Sequence, residues 1–113
     1  MFKMRREQMD AFRRESIREF EDGVARHVER CFPDRWAALG EGGVRQVIQR
    51  GVERAAVYGI VAERDVCKFI DLMLVFGADF DQERAWARQI LEVKGDPFAR
   101  MRRLHARALQ EEA

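Results

Sequence analysis

The sequence predicts an all-α protein, a single compact helical bundle over residues 1–113, with about five helices, one short helical turn and a long N-terminal amphipathic helix. Three observations carry this. Apolar residues recur at steps of three and four, never in sustained alternation. Glycine, proline and aspartate fall where helix ends need them. Only two prolines interrupt 113 residues, of which 47% are apolar and 36% charged, a composition that suits one globular core and leaves no room for a second.

Taken in order, residues 5–31 carry Met9, Phe12, Ser16/Ile17, Phe20, Val24, Val28 and Cys31 on one narrow stripe, with intermixed charges on the other faces. This is a solvated helix with an apolar seam suited to docking. Pro33 ends it, since the residue before a proline is pushed out of the helical region. Asp34 is placed to cap a short turn bearing Trp36 and Leu39 and closed by Gly40. After Gly42-Gly43, the residues Val44, Val47, Ile48, Gly51, Val52, Ala55 and Ala56 mark the face of the next helix, and Gly51 on that face predicts a close helix approach. Tyr58-Gly59-Ile60 breaks the pattern. Glu63 and Asp65 then place negative charge in the first turn of a helix over 63–76, as the macrodipole favours. Between Val66 and Phe76 that helix is apolar all round except at Lys68 and Asp71, so it is expected to be either central in the core or covered by a partner. Gly77 ends it. Asp81 is expected to cap a helix over 82–93, and Asp96-Pro97 to start the last one, which carries Phe98, Met101, Leu104/His105 and Ala108.

Composition also excludes. Lys+Arg number 21 against 20 Asp+Glu, so no net field favours nucleic acid or an anionic membrane. No stretch reaches the roughly 18 apolar residues of a membrane span, and the first residues lack a secretory signal pattern, so a cytoplasmic protein is expected. There is no Thr, no Asn, one Ser and one Tyr, which removes most hydroxyl nucleophiles, the P-loop and the Asx-rich calcium loop. Cys31 and Cys67 have neither zinc-site nor redox-pair spacing and are expected as reduced core residues. His27 and His105 have no sequence-local catalytic partner. No catalytic residue, metal site or cofactor is therefore expected, and the chain reads as a non-enzyme.

The acids around Gly77 are read as follows. With no Ser, Thr or Asn at these helix starts, Asp is the one good side-chain cap left, so Asp81 needs no ligand to explain it. Asp79 stays open between a loop amide, an arginine and a partner. Asp71, inside an apolar helix, requires a partner, and Arg64 two turns earlier is the expected one, giving a structural polar network of Arg64 and Asp71. Arg100, Arg102, Arg103 and Arg107 form a basic stretch, but without aromatic interleaving or a recognition motif.

The series EQM, Phe20-Glu21, Phe32-Pro33, Leu39-Gly-Glu41, Tyr58-Gly-Ile60, ERDVC (63–67), IDLM (70–73), FGADFD (76–81) and Trp86-Ala87 resembles a family of small helical bacterial proteins encoded beside type VI secretion effectors, effector adaptors and VgrG or PAAR spike proteins. The resemblance spans most of the chain and implies an adaptor, co-adaptor or chaperone that binds an effector, its adaptor or the spike. It brings no catalytic residues. The expected binding surface joins the exposed stripe of the first helix, Phe12 and Phe20, to the loop at Asp79 and Phe80. A homo-oligomer is a further expectation, with the first helix either packed on its own domain or exchanged between chains. An immunity protein that neutralises a cognate toxin is the alternative, and a nucleic-acid-binding regulator the third.

Overall fold

The structure, a computed structural model, describes the backbone of residues 6–112 and the side chains of residues 16–112. Six helices follow in order: α1 (Arg6–Cys31), α2 (Pro33–Val57), α3 (Glu63–Phe76), α4 (Phe80–Glu83), α5 (Ala85–Glu92) and α6 (Pro97–Glu112). The all-α expectation is met. Phe12, expected in the docking stripe, lies outside the residues whose side chains are described.

Helix α3 is the centre. Val66, Phe69, Ile70, Leu72, Met73 and Leu74 are all buried, and α1, α2, α4 and α6 each pack against it, as its all-round apolar character requires. The first two helices meet across a single residue: Phe32 precedes Pro33 and takes φ −130°, ψ 60°, so α1 ends while the proline supplies the pre-set first residue of α2. Pro33 thus starts a helix as well as stopping one. Gly40, at φ 71° and ψ 170°, bends α2, so the expected turn and the helix after it are the two limbs of one bent element.

Glycine at 51 is required by packing. A Cβ there would lie 2.5 Å from Ile70 Cγ1 and 3.1 Å from Met73 Sδ, so α2 and α3 approach as closely as their backbones and these two side chains permit. At the other end of α2, the N–H groups of Gly59 and Ile60 bond to the carbonyls of Ala56 and Ala55. With Gly59 at φ 75° and Ile60 buried, this is a Schellman stop.

The helix expected over 82–93 is divided. Arg84, at φ −89° and ψ 116°, breaks it into α4 and α5. Phe80 faces inward, where its ring lies 5.1 Å from Phe69 and 6.5 Å from Trp86, while Phe76 meets Trp86 edge-on at 5.2 Å. Burying these rings stabilises the joint of α3, α4 and α5 by about 0.5–1.5 kcal/mol per aromatic pair beyond the apolar area removed from water.

Two glycine substitutions on helix interiors separate packing from propensity. Gly23 in α1 is exposed with nothing near its absent Cβ, so Gly23→Ala is expected to raise unfolding stability by about 0.5–1 kcal/mol. Gly51→Ala gains the same propensity but forces Ile70 and Met73 aside, and is expected to lower stability by about 1–2 kcal/mol. Denaturant midpoints of the two variants, measured side by side, check both signs.

Candidate functional site

Three polar or apolar constellations emerge. The first is on the α1–α3 face. His27, one turn before the end of α1, directs Nε2 to the Asp71 carboxylate at 2.9 and 3.1 Å. An ionised carboxylate only accepts, so Nε2 carries the proton. Nδ1 lies 3.6 Å from Cys31 Sγ, one turn on along α1. Cys67 sits one turn before Asp71 on α3, and ligand atoms of His27, Cys67 and Asp71 lie within 4.8 Å of one another. All three are half-buried. Burial raises the Asp71 carboxyl above the ordinary carboxylate range, offset by His27 and by His105 of α6. Burial, reinforced by Asp71 and Cys31, pushes the Cys67 thiol up to about 11.

Cys67 is therefore a thiol at neutral pH and not a ready nucleophile. Cys31, His27 and Asp71 do run thiol, imidazole, carboxylate, but Cys31 is exposed on the last turn of α1. Along the adjoining cleft lie Glu19, Glu63 and Arg64. Two acids against one base disfavour a developing oxyanion and favour a cation.

Several expectations are corrected here. Asp71 pairs with His27 and not with Arg64, which is exposed on the cleft, because α1 brings an imidazole to within hydrogen-bond distance of it. Cys31 is exposed and not a core residue, since it falls on the last turn of α1, beyond the packed part of the stripe. The pairing of His27 with Asp71 was invisible to spacing, the two being 44 residues apart.

The second constellation lies between α2 and α4. Asp81 is 1% exposed, and its Oδ2 accepts hydrogen bonds from Arg54 Nε at 3.1 Å, Arg54 Nη2 at 2.5 Å and the Tyr58 hydroxyl at 2.7 Å. The expected cap is thus a buried anchor, because the chain is helical from Phe80 onward and Asp81 lies inside the turn instead of before it. Arg54 and Tyr58, four residues apart, share one face of α2 and reach it together. Asp79 pairs with Arg50 of the same helix. Phe80 is 0% exposed and cannot meet a partner, contrary to expectation.

Arg100 belongs to the same joint. It is buried, donating from Nη1 to Leu91 O at 3.0 Å and from Nη2 to Tyr58 O, so it serves the carbonyl ends of α5 and α2, where a cation is favoured. Since Arg107 also pairs with Glu111 at 2.8 Å, the basic stretch of α6 offers Arg102 and Arg103 to solvent, a thin basis for nucleic-acid binding. Asp96 accepts from Phe98 N–H at 3.2 Å, the expected cap.

The third constellation is apolar. Ile17 and Phe20 of α1, Val52 of α2, Val61 in the loop before α3 and Val66 in the first turn of α3 line an open groove of about 200 Å³ with Glu63 at its edge. Ile17 is 51% and Val61 75% exposed. Phe20 and Glu63 also border the cleft beside His27 and Cys67, so groove and cleft are neighbours. Among the described residues, no helix is long and apolar enough to cross a membrane.

The buried anchor has two measurable consequences. Arg54→Met leaves the Asp81 charge without its cation and is expected to cost about 3–5 kcal/mol, whereas Tyr58→Phe, which removes one hydroxyl donor, costs about 1 kcal/mol. Burial, then Asp81, raises the phenol of Tyr58 to about 12. The protonated phenol is the form the fold favours, so its contribution is complete below about pH 10 and is lost as the pH climbs toward 12. Ultraviolet titration of this one tyrosine should give a late ionisation, and Asp81→Asn should return it toward the ordinary value.

No protein-family model, curated protein or solved structure matches this chain.

Proposed function

We propose that this chain is a non-catalytic helical accessory protein that binds another protein, in the role its family resemblance implies: an adaptor, co-adaptor or chaperone for a type VI secretion effector or for that effector's adaptor or spike. The observation that supports the reading is the groove of Ile17, Phe20, Val52, Val61 and Val66. Two of its five apolar side chains are at least half exposed, an arrangement that a second apolar segment would complete. About 200 Å³ accepts one or two apolar side chains, the anchors of an amphipathic helix or strand. Acids on the edge, Glu63 in the groove and Glu19 in the cleft beside it, select a partner segment whose anchors are flanked by Arg or Lys.

The paired Asp79 and the enclosed Phe80 move the binding surface away from the loop after α3 and leave it on α1 and the start of α3. Of the residues expected to bind, Phe20 alone stays in a described surface groove. In this reading the chain contributes shape and apolar area, with no bond made or broken.

Co-purification of a tagged chain expressed with its neighbouring genes tests this. Recovery of an effector, adaptor or spike protein is expected, with loss of at least tenfold in yield for Val61→Glu and Ile17→Glu, each of which puts a charge on an exposed apolar site and leaves the helical circular dichroism unchanged. A chain that elutes alone, or a partner retained by both variants, refutes the reading. Rescue of cells that express the partner's toxin domain would replace it with the immunity role.

A further inference from the structure

The cluster between α1 and α3 has a property that an ion pair does not explain. An Asp–His pair needs two residues, yet four potential donors converge: His27 and Cys31 four apart on α1, Cys67 and Asp71 four apart on α3. Spacing of four sets two side chains on one helix face, one turn apart, as in helical zinc sites. The two helices turn these faces toward each other.

We propose that His27 Nε2, Cys67 Sγ and a carboxylate oxygen of Asp71 form a site for a divalent transition metal of the zinc class, with the fourth position open to the cleft lined by Glu19, Gly23 and Glu63. The donor set of one sulfur, one nitrogen and one oxygen is borderline in softness, which suits Zn²⁺ and Co²⁺ and disfavours Mg²⁺ and Ca²⁺. Zinc bond lengths of about 2.0–2.3 Å make the edges of a tetrahedron about 3.3–3.6 Å. The imidazole nitrogen and the carboxylate, at 2.9–3.1 Å, need to open by a few tenths of an ångström. Cys67 is a thiol in the free chain, so its proton is released when the metal binds, and its Sγ needs to close from within 4.8 Å.

Two further features favour a cation. Asp71, Glu19 and Glu63 outnumber Arg64 around the cleft, so the local field is negative. When Nε2 ligates, its proton leaves and Nδ1 must carry the other, and Cys31 Sγ at 3.6 Å is the acceptor that fixes this tautomer. Three protein ligands with a fourth position facing solvent make an open site, and the bound ion would clamp α1 onto α3 beside the apolar groove. The site stands apart from the partner-binding reading, since neither requires the other.

The test uses the full chain and the metal alone. Titration with Co²⁺ should saturate at one equivalent, with a thiolate-to-cobalt charge-transfer band and the ligand-field bands of a four-coordinate ion, and Zn²⁺ should displace it one for one. Zinc should also raise the thermal midpoint by several degrees. Cys67→Ala should abolish the charge-transfer band, His27→Gln and Asp71→Asn should weaken Co²⁺ binding by at least tenfold, and Cys31→Ala should keep the band with affinity reduced about 10- to 100-fold. Far-ultraviolet circular dichroism confirms that each variant is folded. Should a ligand variant not fold, protection of Cys67 from alkylation by one equivalent of Zn²⁺ in the unaltered chain answers the same question. The proposal is overturned by absence of saturable one-to-one binding, by a band that survives Cys67→Ala, or by a band that depends on Cys31 in its place.

Discussion

The last turns of α2 hold the C-terminal half of this protein in place through one buried carboxylate. Asp81 accepts from Arg54 and Tyr58 together, and the Tyr58 carbonyl in turn receives the guanidinium of Arg100. Helix α2 is therefore joined to α4 by side chains and to α6 by its own carbonyl end. A buried charge pair is not in itself a source of net stability, because the desolvation of both partners offsets their attraction. What it supplies is uniqueness. An apolar joint of the same size tolerates a rotated α4, whereas the Oδ2 of Asp81 meets Arg54 and Tyr58 in one orientation, which leaves Oδ1 buried without a protein partner and carries Phe80 into the ring cluster.

The same constraint explains which parts of the structure were legible in the sequence. Helix periodicity, the stop at Pro33, the close approach at Gly51, the burial of α3 and the cap at Asp96 all follow from interactions within a few residues or from a required absence of bulk. They were read correctly because local chemistry decides them. The role of Asp81 was not, although its neighbours displayed both a helix start and a missing cap. A cap and a buried acceptor look alike in one dimension, and what separates them is the pair Arg54 and Tyr58, more than 20 residues away. The division of α4 from α5 belongs to the same class, since Arg84 does not leave helical geometry for want of propensity.

The candidate site was half legible. Asp71 stood out as an acid in an apolar helix that demanded a partner, and that inference was sound. The choice of Arg64 failed because it searched along one helix, whereas the partner comes from the helix packed across it. One signal was present but unread: His27 with Cys31, and Cys67 with Asp71, are two donor pairs at the same four-residue interval on two helices that both required a packed face. Neither pair means anything alone. Coincident spacing on two elements destined to face each other is the information a sequence offers about a site assembled in three dimensions.

The polar groups inside this fold thus divide by what surrounds them. Asp81 and Arg100 are enclosed, and their hydrogen bonds connect elements that have no reason to separate. His27, Cys67 and Asp71 are half-enclosed: shielded enough that an isolated charge is costly, as the raised Asp71 carboxyl records, yet open through the cleft to solvent. Half-buried donors of this kind stay reachable from solvent, whereas a fully exposed set gains little over water. Phe20 and Glu63 border this cleft and also the apolar groove. Helix α1 thus carries both His27 and, two turns earlier, the Phe20 wall of the groove, so the two features share one helix even though each is built from its own chemistry.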